Sequence, residues 1–105
     1  MTASIDRQRF AEAIALVGDL SLRELDRLSG HALTLASKTL SGANANPSLA
    51  VASAWAEVLG LSLDWLAGRK GPAPDPVSVR AAVLESRKRY AAEHPPRGRK
   101  GAGRR

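Results

Sequence analysis

The sequence predicts an all-α protein: five helices, then one more C-terminal helix and a basic tail expected to be disordered. Three observations carry the prediction. Alanine and leucine dominate while aromatics are only 4%, a composition that favours helices packed through small contacts over a β-sandwich. Apolar residues recur at i, i+3, i+4 and i+7 rather than at alternate positions. Between Leu20 and Gly68 four short segments are each closed by a glycine, three of them opened by a capping signal. With 105 residues there is room for one small domain and little more.

The elements follow in order. Asp6 or Ser4 can cap a first helix running to about Val17, ended by Gly18, with Phe10, Ile14 and Val17 as its apolar stripe. Ser21 caps the second. Glu24, three residues on, allows a reciprocal capping box, and Gly30 stands where a left-handed residue should end the helix. Leu22, Leu25 and Leu28 face one way, Arg23 and Arg27 another. A third helix, about Leu33 to Ser41, starts almost at once and is stopped by Gly42. Its apolar positions are Leu33, Ala36 and Leu40. Two helices joined by a three- or four-residue turn containing glycine form the motif whose second helix enters the major groove of DNA.

Asn46 and Pro47 are read as the N-cap and first residue of a fourth helix ending at Gly60. Leu49, Ala52, Ala56 and Leu59 make one apolar face with Trp55 at its edge, and Ala50, Val51, Ala54 and Val58 make a second. Glu57 is its only charge. A helix apolar all round must be covered on both sides, here by the core and by either the C-terminal helix or a second subunit. Ser62 caps a short fifth helix, Leu63 to Ala67, closed by Gly68. Residues 71–76, Gly-Pro-Ala-Pro-Asp-Pro, read as a stiff linker. Val77 to about Glu93 is helical again, with Val79, Val83 and Tyr90 aligned and Arg87, Lys88 and Arg89 on the wet side. Residues 95–105 are too polar to bury anything. The predicted organisation is a helix-turn-helix domain over 1–70, the linker 71–76, a packing or dimerisation helix over 77–94, and the tail 95–105.

Residues 1–70 carry seven Lys/Arg against seven Asp/Glu and residues 71–105 nine against three, so the whole net charge of +6 lies in the last third. A basic arm on a neutral domain suits an anionic polymer, or merely aids solubility. No cysteine means no disulfide and no thiolate metal site. The two histidines, His31 and His94, have no carboxylates at metal-ligand spacing. No apolar run reaches membrane-spanning length, and the N-terminus lacks a basic region followed by an apolar stretch. No nucleophile–base pair and no glycine-rich nucleotide fingerprint is present. The expectation is a soluble cytoplasmic protein that is not an enzyme, with no metal, cofactor, membrane or small-molecule substrate.

The spacing Ser21-x-x-Glu24-Leu25, Gly30, Gly42, Asn46-Pro47-Ser48-Leu49 and Leu59-Gly60-Leu61-Ser62-Leu63-Asp64-Trp65-Leu66 resembles the Cro/C1-type helix-turn-helix family, also called XRE, which includes the lambda repressor-like proteins. The resemblance implies a five-helix bundle over about Asp6 to Gly68 that binds operator DNA as a dimer and regulates transcription in a prokaryotic or phage setting. By position it implies a reading helix beginning near Ala32, with Leu33, Thr34, Ser37 and Lys38 at base edges, and Arg23 and Asn44 at phosphates. Leu33 can pack on a thymine methyl or belong to the core; Lys38 can reach a guanine edge or a phosphate. The chain departs from the family's usual pattern at Leu22, at Leu40 and Ala15, where an ion pair is common, and at Asp26, where a small alanine is usual. In the tail, Pro96-Arg97-Gly98-Arg99-Lys100 is similar to an AT-hook, whose arginines enter a narrow minor groove. Lys100 stands where the hook normally has proline, and a general phosphate-binding arm or a passive tail are the other readings. The functional expectation is a sequence-specific repressor on an inverted repeat. The alternative is an antitoxin- or adaptor-like interaction module, and a third reading is a chromosome-architecture protein driven by the tail alone.

Overall fold

A computed structural model describes residues 4–44 and 46–94. Six helices run in the order α1 (Arg7–Ala15), α2 (Leu22–Ser29), α3 (Leu35–Ser41), α4 (Leu49–Leu59), α5 (Leu63–Leu66) and α6 (Pro76–Glu93). Among the described residues there is no β-strand.

Side chains decide where most helices start. Asp6, Ser21, Ser48, Ser62 and Asp75 each hold an extended backbone and accept a hydrogen bond from the amide three residues ahead, satisfying one of the orphan donors of a first turn. Two expectations change here. The fourth helix is capped by Ser48 rather than Asn46, because Pro47 is buried ahead of the helix and the Ser48 Oγ lies 3.2 Å from the Val51 amide. In the second, Ser21 accepts from the Glu24 amide at 3.0 Å, but the Glu24 carboxylate is turned to Arg87 instead of completing the box.

Gly30 (φ +79°) and Gly60 (φ +66°) show why glycine ends these helices. At Gly30 a Cβ would meet nothing within 4 Å, so only the left-handed backbone demands glycine. At Gly60 a Cβ would also lie 2.7 Å from the Cβ of Ala82, so the close approach of α6 adds a second demand.

The core gathers Phe10 and Ala13 of α1, Leu25 of α2, Ala36 of α3, six residues of α4, Trp65 and Leu66 of α5, and Val79 and Val83 of α6. α4 is its axis: Val51, Ala52, Trp55, Ala56, Val58 and Leu59 are all buried. Trp55, read from the sequence as an edge residue, is fully buried and stacks on Phe10 with centroids 4.8 Å apart. α6 packs on α4; of the second apolar face, Val51 and Val58 are buried, Ala54 is half-buried and Ala50 is exposed.

α6 is fastened by charge as well as by its valines. Arg87, expected on the wet side, grips Glu24 through two bonds, Nε to Oε2 at 2.8 Å and Nη2 to Oε1 at 2.9 Å, and reaches Asp19 at 3.2 Å. The hydrogen-bonded Glu24 carboxylate, with Asp19 assisting, raises the Arg87 pKa above the usual arginine range. A planar guanidinium matched to a carboxylate by two parallel bonds is the strong form of this pair. Arg80 adds a bond from Nε to the Leu16 carbonyl at 2.9 Å. No helix of the described residues is long and apolar enough to cross a membrane.

Candidate nucleic-acid interface

The face in question is built from the α2–α3 connection and the outer flank of α3. α2 stops at Gly30, whose amide bonds to the Arg27 carbonyl while the amide of His31 bonds to the Asp26 carbonyl. The connection spans residues 30–34, longer than the expected three or four, and α3 begins at Leu35 rather than at Ala32 or Leu33. Leu33 and Thr34 therefore sit in the turn that leads into the helix, not on its first turn. The Leu35 amide bonds to the Ala32 carbonyl at 3.3 Å, the tighter spacing usual where a short helix starts.

The sequence-selected residues are exposed where they fall among the described ones. Ala32, Leu33, Thr34, Ser37 and Lys38 are all exposed, as is Arg23 on α2. Asn44 is half-buried, its amide bonded to the Lys38 carbonyl at 3.0 Å. Leu33 is 38% exposed, which removes the reading of it as a core residue. The opposite flank of α3 is closed: Ala36 and Thr39 are fully buried and Leu40 is half-buried. Arg97, Arg99 and Lys100 lie outside the described residues.

Charge on this face has one sign. α3 contains no carboxylate, and Arg23 and Lys38 make no ion pair among the described residues. On α2, Glu24 is directed to α6 and Asp26 to α3, and Arg23 lies about 60° around the axis from Asp26, on its solvent side. Arg7, which the sequence reading did not select, belongs here too. Its guanidinium lies against Gly42, where a Cβ would be 2.6 Å from Nη1. An arginine beside the last turn of a helix also complements its exposed carbonyls. Nothing in the local sequence marks Arg7, because α1 brings it there only through the tertiary packing of α1 on α3.

Asp26 and Trp55, outside the sequence-based site, support it from below. Asp26 is fully buried beneath the start of α3, where its carboxylate accepts from the Ala36 amide at 2.9 Å and from Trp55 Nε1 at 3.0 Å. The visible signal was that a charge stands where the resembled family prefers alanine.

Two concavities open elsewhere, the first meeting this face at Gly30. One, about 330 Å³, opens between α2, α4 and α6 and is lined by Arg27, Glu57, Ser86, Arg89 and Tyr90 among others. The second lies between Glu12, Leu16, Trp65 and Pro74. None of the sequence-selected residues lines either. Among the described residues no cluster of three His, Asp or Glu could hold a metal ion.

No protein-family model matches the chain, and neither does any curated protein or solved structure.

Proposed function

We propose that the chain is a sequence-specific DNA-binding transcriptional regulator of the Cro/C1 helix-turn-helix type, a repressor that binds an inverted repeat as a homodimer. The observation that supports this best is the division of α3 into a buried flank, Ala36 and Thr39, and an exposed flank carrying Ser37 and Lys38 without a carboxylate. A short rod closed below and open above, cationic and rich in small hydroxyls, has the form and chemistry required to lie in a major groove. Ser37 and Thr34 can donate to or accept from base edges, Lys38 can reach guanine O6 or N7, and Leu33 can meet a thymine methyl. Arg7, Arg23 and the arginines and lysine of residues 95–105 supply phosphate contacts that hold the register without reading sequence.

Selection of bound duplexes from a random pool tests the reading. The expected product is an enriched palindrome with half-site centres about one helical turn, roughly 34 Å, apart. A pool that emerges unenriched would falsify sequence-specific reading. Removing residues 95–105, which carry five Lys/Arg, should flatten the log–log salt dependence by up to about 4–5 units if every one meets a phosphate.

The exposed Leu33 and the balanced charge of residues 1–70 favour a second reading, an adaptor- or antitoxin-like interaction module. The double variant Thr34→Ala, Lys38→Ala separates the two. A regulator loses its preference for the selected duplex at unchanged stability, whereas an adaptor keeps its activity.

A further inference from the structure

α3 is the one described helix whose N-terminus has no cap of its own. Thr34 holds the N-cap position with φ −112° and ψ 0° and makes no side-chain capping bond, while the other five helices are each capped by the residue before them. Its cap comes from another helix. Asp26 of α2 accepts from the amide of Ala36, the second residue of α3, which is the position an ordinary N-cap oxygen serves. The other oxygen of the same carboxylate accepts from Trp55 Nε1 of α4, and Trp55 is stacked on Phe10 of α1.

We propose that Asp26 is a positioning residue that sets the pitch and depth of α3 against α2 and α4, with Trp55 as the fixed post from which it works. The inference rests on the DNA-binding reading of the α3 flank. Three features carry it. First, α3 has only seven residues; its two fully buried side chains, Ala36 and Thr39, are small, and Leu35 and Leu40 pack on the core only partly buried, so a polar anchor adds to a short helix's limited apolar hold. Second, Thr39 contributes no polar anchor, since its buried Oγ1 has no partner among the described residues. Third, both neighbours of the Asp26 carboxylate are N–H donors. A group with two acceptor oxygens and no donor fits that gap, whereas an asparagine amide would set an N–H against an N–H. Burying a carboxylate without a counter-charge is costly, so an apolar residue here would suit a purely stabilising role better.

The test uses the full chain and three variants, Asp26→Asn, Trp55→Phe and the double variant. Amide hydrogen exchange is followed by NMR in the free protein, and affinity is measured for the duplex selected by the wild type. In Asp26→Asn, exchange at Ala36 should rise by about tenfold or more relative to Ala52 and Leu59 of α4. Affinity for the selected duplex should fall by a similar factor while the salt slope stays unchanged, because the number of phosphate contacts is the same. Adding Trp55→Phe removes the opposing donor and lets the asparagine carbonyl turn to Ala36, so part of the lost affinity should return. Should Asp26→Asn not fold, Trp55→Phe alone is compared in the same way, with a smaller selective rise expected at Ala36. Equal acceleration at Ala36, Ala52 and Leu59 would mean general destabilisation and overturns the proposal, as does an affinity within twofold of wild type. A wild type that selects no duplex sinks the DNA reading separately, with the exchange data still deciding whether the clamp exists.

Discussion

The α6 side of the molecule and the α3 flank use charge in opposite ways. Around α6, cations meet carboxylates: Arg87 holds Glu24 and Asp19, Arg89 reaches Glu57, and Lys88 reaches Glu85. Asp75 is occupied in capping α6. Around α3, Arg7, Arg23 and Lys38 have no carboxylate partner among the described residues, and the one acid nearby, Asp26, is buried and turned inward. Residues 1–70 are balanced in number, yet Asp6 caps α1, Asp19, Glu24 and Glu57 pair with arginines of α6, and Asp26 is buried. A domain of zero net charge can thus present a face of one sign, and counting charges along a chain does not reveal it.

The largest expected contrast comes from reversing one lysine on each side. Lys38→Glu should weaken binding to the selected duplex by about 100-fold or more. Lys88→Glu, on the exposed side of α6, should change it severalfold at most, through long-range charge alone. Filter binding or anisotropy at fixed salt checks both, and equal losses would erase the distinction between the two faces.

Next come the two glycines that end helices on either side. Gly60→Ala forces a left-handed alanine and drives its Cβ into Ala82, so a loss of roughly 2–3 kcal/mol is expected. Gly42→Ala meets only the tip of a flexible arginine, so about 1 kcal/mol should go, with some loss of affinity as Arg7 moves. Urea midpoints of the two variants give the comparison. A Gly42 variant as unstable as the Gly60 variant would mean that the end of α3 is packed as tightly as the end of α4.

The cross-helix pair should have a smaller effect. Arg87→Met removes a two-bond grip that is 29% exposed on the arginine side and 20% on the glutamate side, and should cost about 1–1.5 kcal/mol. Duplex affinity should hardly change. If affinity falls in step with stability, α6 and α3 are coupled more closely than their separate contacts suggest.

The smallest effect has the opposite sign. Thr39→Val replaces a buried hydroxyl that has no partner among the described residues by a methyl of similar shape, and should stabilise the fold by about 1 kcal/mol. Thermal denaturation should show a rise of several degrees. A fall instead would show that the hydroxyl is satisfied and that α3 has a polar anchor besides Asp26.

Much of this architecture was legible from local signals because those signals act locally. Ser21 and Ser62 cap the helices they precede, Gly30, Gly42 and Gly60 are left-handed where helices stop, and the 3.6-residue spacing picked out Phe10, Leu25, Val79 and Val83 for burial. Such features need only neighbours within a turn or two. The start of α3 was misplaced for the same reason: its cap is Asp26, ten residues away and on another helix.

What the sequence determined by itself, then, is the all-helical class, the order of the elements and most of their ends. Tertiary packing decided which charges are spent and which are free. Glu24 could have closed its own capping box, Arg87 could have stood in water, and Asp26 could have been a surface acid. Each instead took the partner that folding brought within 3 Å. A charged group's effect depends on its distance to other charges and on its exposure to water, and neither is written in its own neighbourhood of the chain.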